Sequence, residues 1–112
     1  MHIEIQTRGL ELSEQLRDFI RRRLAFGLDR ASRELGTVFL SLSDINGPRG
    51  GNDKLCRLRI PLPRMRDVVI EEIADDPHVA IARAVDRAAR NLQRRRSRSR
   101  EFGPLVMSAK EV

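Results

Sequence analysis

Apolar and polar residues alternate in four short runs of the sequence, and each run predicts a β-strand with one buried face. The runs cover residues 2–7, 37–45, 54–62 and 68–73. Pro61 and Pro63 lie at the end of the third run. Because proline cannot donate a hydrogen bond to a neighbouring strand, we expect the third strand to end there or to lie near an edge of the sheet.

Two longer segments repeat their apolar residues at the spacing of an α-helix. The first follows Ser13, a typical N-cap residue, and is predicted to run from about residue 13 to between the mid-20s and about residue 30. The second follows Asp75 and Asp76, begins with Pro77, and is predicted to continue to about residue 97. Its apolar stripe consists of Ile81, Val85, Ala88 and Leu92.

The order strand, helix, three strands, helix predicts an α+β fold, because two amphipathic helices need one apolar surface to cover. We expect a two-layer βαβββα sandwich, with a four-stranded sheet and two helices packed on one face. Residues 101–112 lose both the helical periodicity and the basic excess. We therefore predict a domain over residues 1–98 and a flexible C-terminal tail over residues 99–112.

The composition fits one basic domain with a single core. The chain has 112 residues, and 22 Lys and Arg against 16 Asp and Glu give a net charge of +6. A basic surface favours an anionic partner, with nucleic acid ahead of a membrane surface. No apolar run approaches the roughly 20 residues of a membrane span, so no membrane partner is expected. A single cysteine suits a reducing compartment, which predicts a cytoplasmic location.

Few side chains are suited to catalysis or metal binding. The chain has one cysteine, two histidines and no tyrosine or tryptophan. Cys56 alternates with apolar residues and is interpreted as a small buried hydrophobic residue. His2 and His78 have no nucleophile beside them in the sequence, and no Cys/His pair has metal-ligand spacing. We predict that the protein is not an enzyme and has no metal, no cofactor and no small-molecule substrate.

A cluster of five acidic residues and no basic residue occupies positions 67–76. Asp75 and Asp76 are explained by the start of the second helix, whose dipole favours negative charge. Glu71 and Glu72 point to opposite faces of a strand, so they do not form an acid and base pair. Glu71 or Glu72 is expected instead to pair with an arginine of a neighbouring strand, Arg57 or Arg59.

The second helix carries the most informative charge pattern. Residues 83–100 contain eight arginines and one acid, Asp86, a local balance of +7. Four arginines, Arg83, Arg87, Arg90 and Arg94, lie opposite the apolar stripe. A face kept only for solubility would mix its charge signs, so this face predicts contacts to the phosphates of a nucleic acid.

The first helix is expected to extend this basic surface. Arg22 and Arg23 are predicted to join the arginines of the second helix around a common groove, if both helices lie on one face of the sheet. Aromatic residues are scarce, which makes base stacking a weaker hypothesis than recognition of the backbone and shape of folded RNA.

The glycine-rich segment over residues 46–53 predicts a loop between the second and third strands. It is not a Walker-type phosphate loop, because Lys54 opens a strand rather than a helix. A weaker possibility is an anion-binding nest of backbone N–H groups beside Arg49 and Lys54; the alternative is a purely structural turn.

Several segments in this order resemble the ribosome hibernation-promoting factor and ribosome-associated inhibitor family, also called the sigma-54 modulation family. The resemblance extends from residue 2 to about residue 97. The most distinctive segment is similar to a proteobacterial branch with an NGPxGGxDKxC loop. The segments that carry the resemblance are His2-Ile3-Glu4-Ile5, residues 13–20, Asp76 with Ala80-Ile81, Asp86 and Leu92, and residues 42–51 with Asp53-Lys54 and Cys56.

The resemblance implies a domain that binds the small ribosomal subunit near the decoding region, in competition with messenger and transfer RNA. It implies inhibition of translation or ribosome hibernation under stress, with ribosomal RNA as the ligand. The dimer-forming extension of longer members is expected to be absent, because no second domain follows in this sequence. The predicted RNA-binding residues are Arg22, Arg23, Arg83, Arg87, Arg90, Arg94, Arg49 and Lys54. The alternative is a protein-interaction module whose basic second helix docks an acidic protein partner.

Overall fold

Four strands and two helices follow one another in the order that the hydrophobic pattern predicts. The computed structural model describes the backbone of residues 1–29, 34–45 and 53–111, and the side chains of these ranges up to Arg96. The elements are β1 (His2–Arg8), α1 (Glu14–Gly27), β2 (Thr37–Asp44), β3 (Lys54–Leu62), β4 (Met65–Ala74) and α2 (Pro77–Glu111). The predicted α+β class and the βαβββα order are confirmed.

The four strands form one mixed sheet in the order β1-β2-β3-β4. β1 pairs with β2 in parallel, and the β2–β3 and β3–β4 pairs are antiparallel. In this register the alternating apolar residues of neighbouring strands come to lie on the same face, as when Leu40 pairs with Leu58 and Leu58 with Ile70. The sheet therefore offers one continuous apolar face to the helices.

β3 is a central strand, so the alternative expectation that its prolines place it near an edge is wrong. Pro61 lies at an irregularity of the β3–β4 register between Ile60 and Leu62, where the ladder does not need its missing N–H. Leu62 pairs with Met65 across a tight turn. This turn lets β4 begin three residues earlier than predicted.

α1 begins as its sequence predicts. The hydroxyl of Ser13 accepts a hydrogen bond from the backbone N–H of Leu16 at 3.1 Å, which satisfies a free donor of the first turn. Leu16, Ile20 and Leu24 are buried at successive turns. This spacing places one face of α1 on the sheet.

α2 also begins as predicted and then extends further. The Oδ1 atom of Asp76 accepts a hydrogen bond from the N–H of His78 at 2.8 Å, and this bond is the main cause that lowers the pKa of the Asp76 carboxyl. The helix ends at Glu111 rather than near residue 97, because backbone hydrogen bonding continues where the amphipathic pattern stops. The division into a domain over residues 1–98 and a flexible tail over 99–112 stays a prediction.

One hydrophobic core joins both helices to the same face of the sheet, as the predicted sandwich requires. Every strand contributes to it, β1 through the partly buried Ile3 and Ile5. Burial is complete for Ile20 on α1, Leu58 on β3 and Ile81 on α2. The core thereby fixes the direction in which the outer faces of both helices point.

Gly27 at the end of α1 lies directly against α2, and we expect Gly27→Ala to destabilise the protein. A Cβ atom built at Gly27 would lie 2.4 Å from Cγ1 of Val85, which is fully buried. Overpacking of this kind costs about 1–3 kcal/mol of unfolding free energy. Urea denaturation of wild type and variant measures the loss.

The matched control repeats Gly27→Ala in a Val85→Ala background, where the clashing methyl group is absent. There the substitution should cost nothing or stabilise slightly, because alanine favours a helix over glycine by about 1 kcal/mol. An equal loss in both backgrounds would show that the contact between Gly27 and Val85 is not the cause.

Candidate nucleic-acid interface

α1 and α2 lie side by side on the sheet and run in the same direction. Their contacts start where the rings of Phe19 and His78 meet edge to face, with centroids 4.6 Å apart. They continue to the close approach of Gly27 and Val85. The outer faces of the two helices therefore form one continuous surface over most of the length of α1.

The structure places the four predicted arginines of α2 on this outer surface. Ala80, Ile81, Ala84, Val85 and Ala88 are fully buried below them. Because an α-helix has about 3.6 residues per turn, this buried stripe turns the opposite face to solvent. The exposed side chains on that face include Arg83, Arg87, Arg90 and Arg94.

Arg87 is exposed, but its guanidinium is held by the neighbouring strand β4. Its Nη1 atom donates to the backbone oxygen of Glu71 at 3.0 Å and to the carboxylate of Glu72. Arg95 donates in the same manner to the backbone oxygen of Arg66. These arginines fasten α2 to β4, so the local charge balance of +7 overstates the number of unpaired cations on the helix.

Arg23 is held in a similar way between the two helices. Its Nη2 atom lies 3.2 Å from Oδ1 of Asp86, the single acid among the eight arginines of residues 83–100. Its Nε atom is buried with no hydrogen-bond partner in the described part of the chain. Arg22, the next residue back, is exposed. The ion pair explains why an arginine lies at the margin of the apolar stripe of α1.

Of the two predicted cations near the glycine-rich loop, the structure describes Lys54 but not Arg49. Lys54 lies with its Nζ atom 3.2 Å from Oδ2 of Asp44, and the two side chains are only 18% and 15% exposed. Arg49 and the loop residues 46–52 lie outside the described residues. The described part of the predicted anion-binding nest is thus a half-buried ion pair between β2 and β3.

Of the predicted RNA-binding residues, four arginines are exposed and have no carboxylate partner among the described side chains. We call these four residues the arginine row: Arg22, Arg83, Arg90 and Arg94. Arg83, Arg90 and Arg94 span roughly 16 Å along α2 at the usual rise per residue, and Arg22 is exposed on α1, the helix that packs against α2. All four side chains are exposed, and their role as RNA-binding residues stays a prediction. The sequence carries no local signal for which arginines pair with distant acids, because those acids come from other elements.

The acidic residues of β4 pair differently from the expectation. Glu72 faces the helices and meets Arg87, and the strand arginine Arg59 pairs with Asp67 at 3.1 Å. Glu71 lies on the open face, opposite Arg57 in the register. Cross-strand pairing with an arginine was expected for Glu71 or Glu72, but the ion pair of Glu72 is made by α2.

The open face of the sheet is more evenly mixed in charge than the helical surface, where arginines outnumber the exposed acids. A shallow depression of about 570 Å³ on that face is lined by Arg8 and Arg57 but also by Glu71. A second depression adds Glu4 beside Arg59. A phosphate backbone would meet carboxylates on this side, so the helical surface is the better candidate interface.

The part of the chain that the structure describes contains no arrangement of side chains suited to catalysis or to metal binding. Cys56 is fully buried, and burial raises the pKa of its thiol to about 12, so the nucleophilic thiolate does not form at neutral pH. Within the described ranges no three His, Cys, Asp or Glu side chains gather in a way that would hold a metal ion. None of the helices described is both long and apolar enough to span a membrane.

The fold and this surface define a small α+β protein whose two helices carry a basic outer face. The sequence of residues 3–100 matches the model of the family described as sigma 54 modulation protein / S30EA ribosomal protein. The chain belongs to this family, which comprises ribosome-associated factors of translation and hibernation without enzymatic activity. The predicted family membership is confirmed.

Two solved structures are similar to this chain over most of its length. The N-terminal domain of Protein Y from Thermus thermophilus is 28% identical, with a TM-score of 0.70, covering 84% of this chain and 98% of that one. A ribosomal subunit interface protein from Coxiella burnetii is 16% identical, with a TM-score of 0.72, covering 87% of this chain and 99% of that one; this second likeness concerns the fold alone. A comparison with proteins of curated function finds no significant match.

Proposed function

We propose that the protein binds the small ribosomal subunit near the decoding region and thereby inhibits translation or promotes hibernation under stress. The observation that carries the proposal is the arginine row, with Arg83, Arg90 and Arg94 on α2 and Arg22 on α1. Membership of a ribosome-associated family supports the ribosome as the partner and the cytoplasm as the location. The ligand in this proposal is the phosphate backbone of ribosomal RNA.

The predicted RNA-binding residues that the structure describes divide into two groups in this mechanism. The arginine row contacts phosphates directly, because its guanidinium groups carry five N–H donors each and have no carboxylate among the described side chains to satisfy them. Arg23, Arg87 and Lys54 position the surface, since each is held by a carboxylate of another element. Arg49 stays a predicted phosphate ligand.

Binding of this kind should weaken steeply as salt is added. Four arginine–phosphate contacts give a slope of about −2.8 to −3.6 in a plot of log K against log salt, which is a loss of roughly 50- to 150-fold between 50 and 200 mM. Co-sedimentation with purified small subunits through sucrose, repeated over this range, measures the slope.

A slope near zero would contradict a phosphate-contacting surface. Pull-down from stationary-phase extract before and after nuclease digestion provides the second arm. Capture of small subunits that is lost on digestion supports the proposal. Capture of an acidic protein that survives digestion would instead establish the protein-interaction module as the function.

A further inference from the structure

Phe26 is the most exposed large hydrophobic side chain of the described residues. It is 82% exposed, whereas Phe19, two turns earlier on the same helix, packs on the ring of His78 and borders the core. A single exposed apolar residue is common on protein surfaces and by itself has no meaning. Phe26 differs from such residues in its surroundings.

The ring lies within the basic helical surface. Phe26 is one turn after Arg22, and residues four apart on a helix are neighbours on its surface. The following residue, Gly27, is the point where α1 comes closest to α2. Phe26 therefore lies beside the junction of the two helices, between the part of the arginine row on α1 and the part on α2.

The packing below keeps the ring in solvent. Leu24 and Leu28 on either side are buried in the core, and Gly27 fills the space against Val85. No inward position is left for a phenyl ring at this turn of α1. The burial of Leu24 and Leu28, two residues before and after Phe26, holds this turn of α1 against the core, so the ring is presented on a rigid element.

We propose that Phe26 stacks on an unpaired base of the ribosomal RNA whose phosphates the arginine row contacts. An exposed aromatic ring among unpaired cations is the combination by which single-stranded RNA is held, because every base offers an apolar face. Arg22 takes a phosphate and Phe26 the base near it, one turn of helix apart. The inference rests on the proposed function and adds a contact to a single-stranded region of the RNA.

The test compares Phe26→Ala, Phe26→Leu and Phe26→Tyr for affinity to purified small subunits. Alanine and leucine should each weaken binding by between about 5- and 150-fold, since stacking on an aromatic ring contributes about 1–3 kcal/mol per base. Tyrosine should bind like wild type because it keeps the ring. The salt slope should not change, because no charge is removed.

Ile73→Ala is the matched control, because Ile73 is exposed to 51% on the open face of the sheet. It should leave affinity unchanged. Thermal unfolding should show all four variants close to wild type, since none of these side chains is buried. Equal affinity of wild type and Phe26→Ala would overturn the inference while leaving the arginine row intact.

Phe26→Trp gives a second readout that needs no affinity difference, since the chain contains no tryptophan. Its emission should be quenched when small subunits are added, because an indole stacked on a base loses fluorescence. Binding without quenching, or a Phe26→Leu variant that binds as tightly as wild type, would contradict base stacking. Either result would indicate that Phe26 makes an apolar contact with a protein instead. Failure of the wild-type protein to bind small subunits at all would remove the proposed function instead.

Discussion

Reversing two charges of the arginine row, Arg83→Glu with Arg90→Glu, should abolish co-sedimentation with the small ribosomal subunit. A hydrogen bond to a charged group is worth about 1.5–3 kcal/mol, so the loss of two such contacts weakens binding at least about 100-fold. The two new carboxylates also repel the phosphates. Both residues are exposed and have no described carboxylate partner, so circular dichroism of the variant should match wild type.

The matched control is Arg17→Glu with Arg21→Glu. These residues are exposed on α1, and the helical spacing of 100° per residue places them away from the flank that carries Arg23 and packs on α2. The change in net charge is identical, yet binding should weaken far less. Equal losses in the two double variants would mean that overall charge, and not the arginine row, governs the affinity.

The order of elements was accessible from the sequence because each strand and helix shows its own period and its own end signals. Ser13 and Asp76 are N-caps in the structure as predicted. The limits of α2 were less accessible, because the apolar stripe ends before the backbone hydrogen bonding does. A hydrophobic pattern predicts which part of a helix is buried, but it does not predict how far the helix continues beyond the buried part.

For the candidate site, the sequence predicts which side of a helix is exposed but not which side chains form ion pairs. The side of α2 that carries Arg83, Arg87, Arg90 and Arg94 follows from the periodicity alone. Ion pairs such as that between Arg23 and Asp86, which are 63 positions apart, require the packing of two helices. No local pattern predicts them, so the charge balance of a helix does not give the number of its free cations.

Phe26 is a different case, because a sequence signal existed. Leu16, Ile20 and Leu24 define the buried stripe of α1, and Phe26 falls well outside that stripe at 100° per residue. The helical periodicity by itself therefore places this aromatic residue on the polar side of an amphipathic helix. Its position beside α2 follows only from the packing of the two helices.

The core supports the arginine row, so truncating Ile81 should have the largest effect on stability. Ile81 is fully buried on α2, on the face opposite the arginine row. Ile81→Ala should lower the free energy of unfolding by about 2–5 kcal/mol, from lost burial and the cavity left behind. In a domain of this size the melting temperature falls by roughly 10 to 25 °C, which differential scanning calorimetry measures.

Val79→Ala is the control on the same helix, because Val79 is exposed to 39%. Its loss should be several-fold smaller, since much of the side chain already contacts water. Below its lowered melting temperature, Ile81→Ala should still bind small subunits, because the arginine row itself is unchanged. Comparable losses in the two variants would contradict the burial of Ile81 between α2 and the sheet, and with it the orientation that turns Arg83, Arg90 and Arg94 outward.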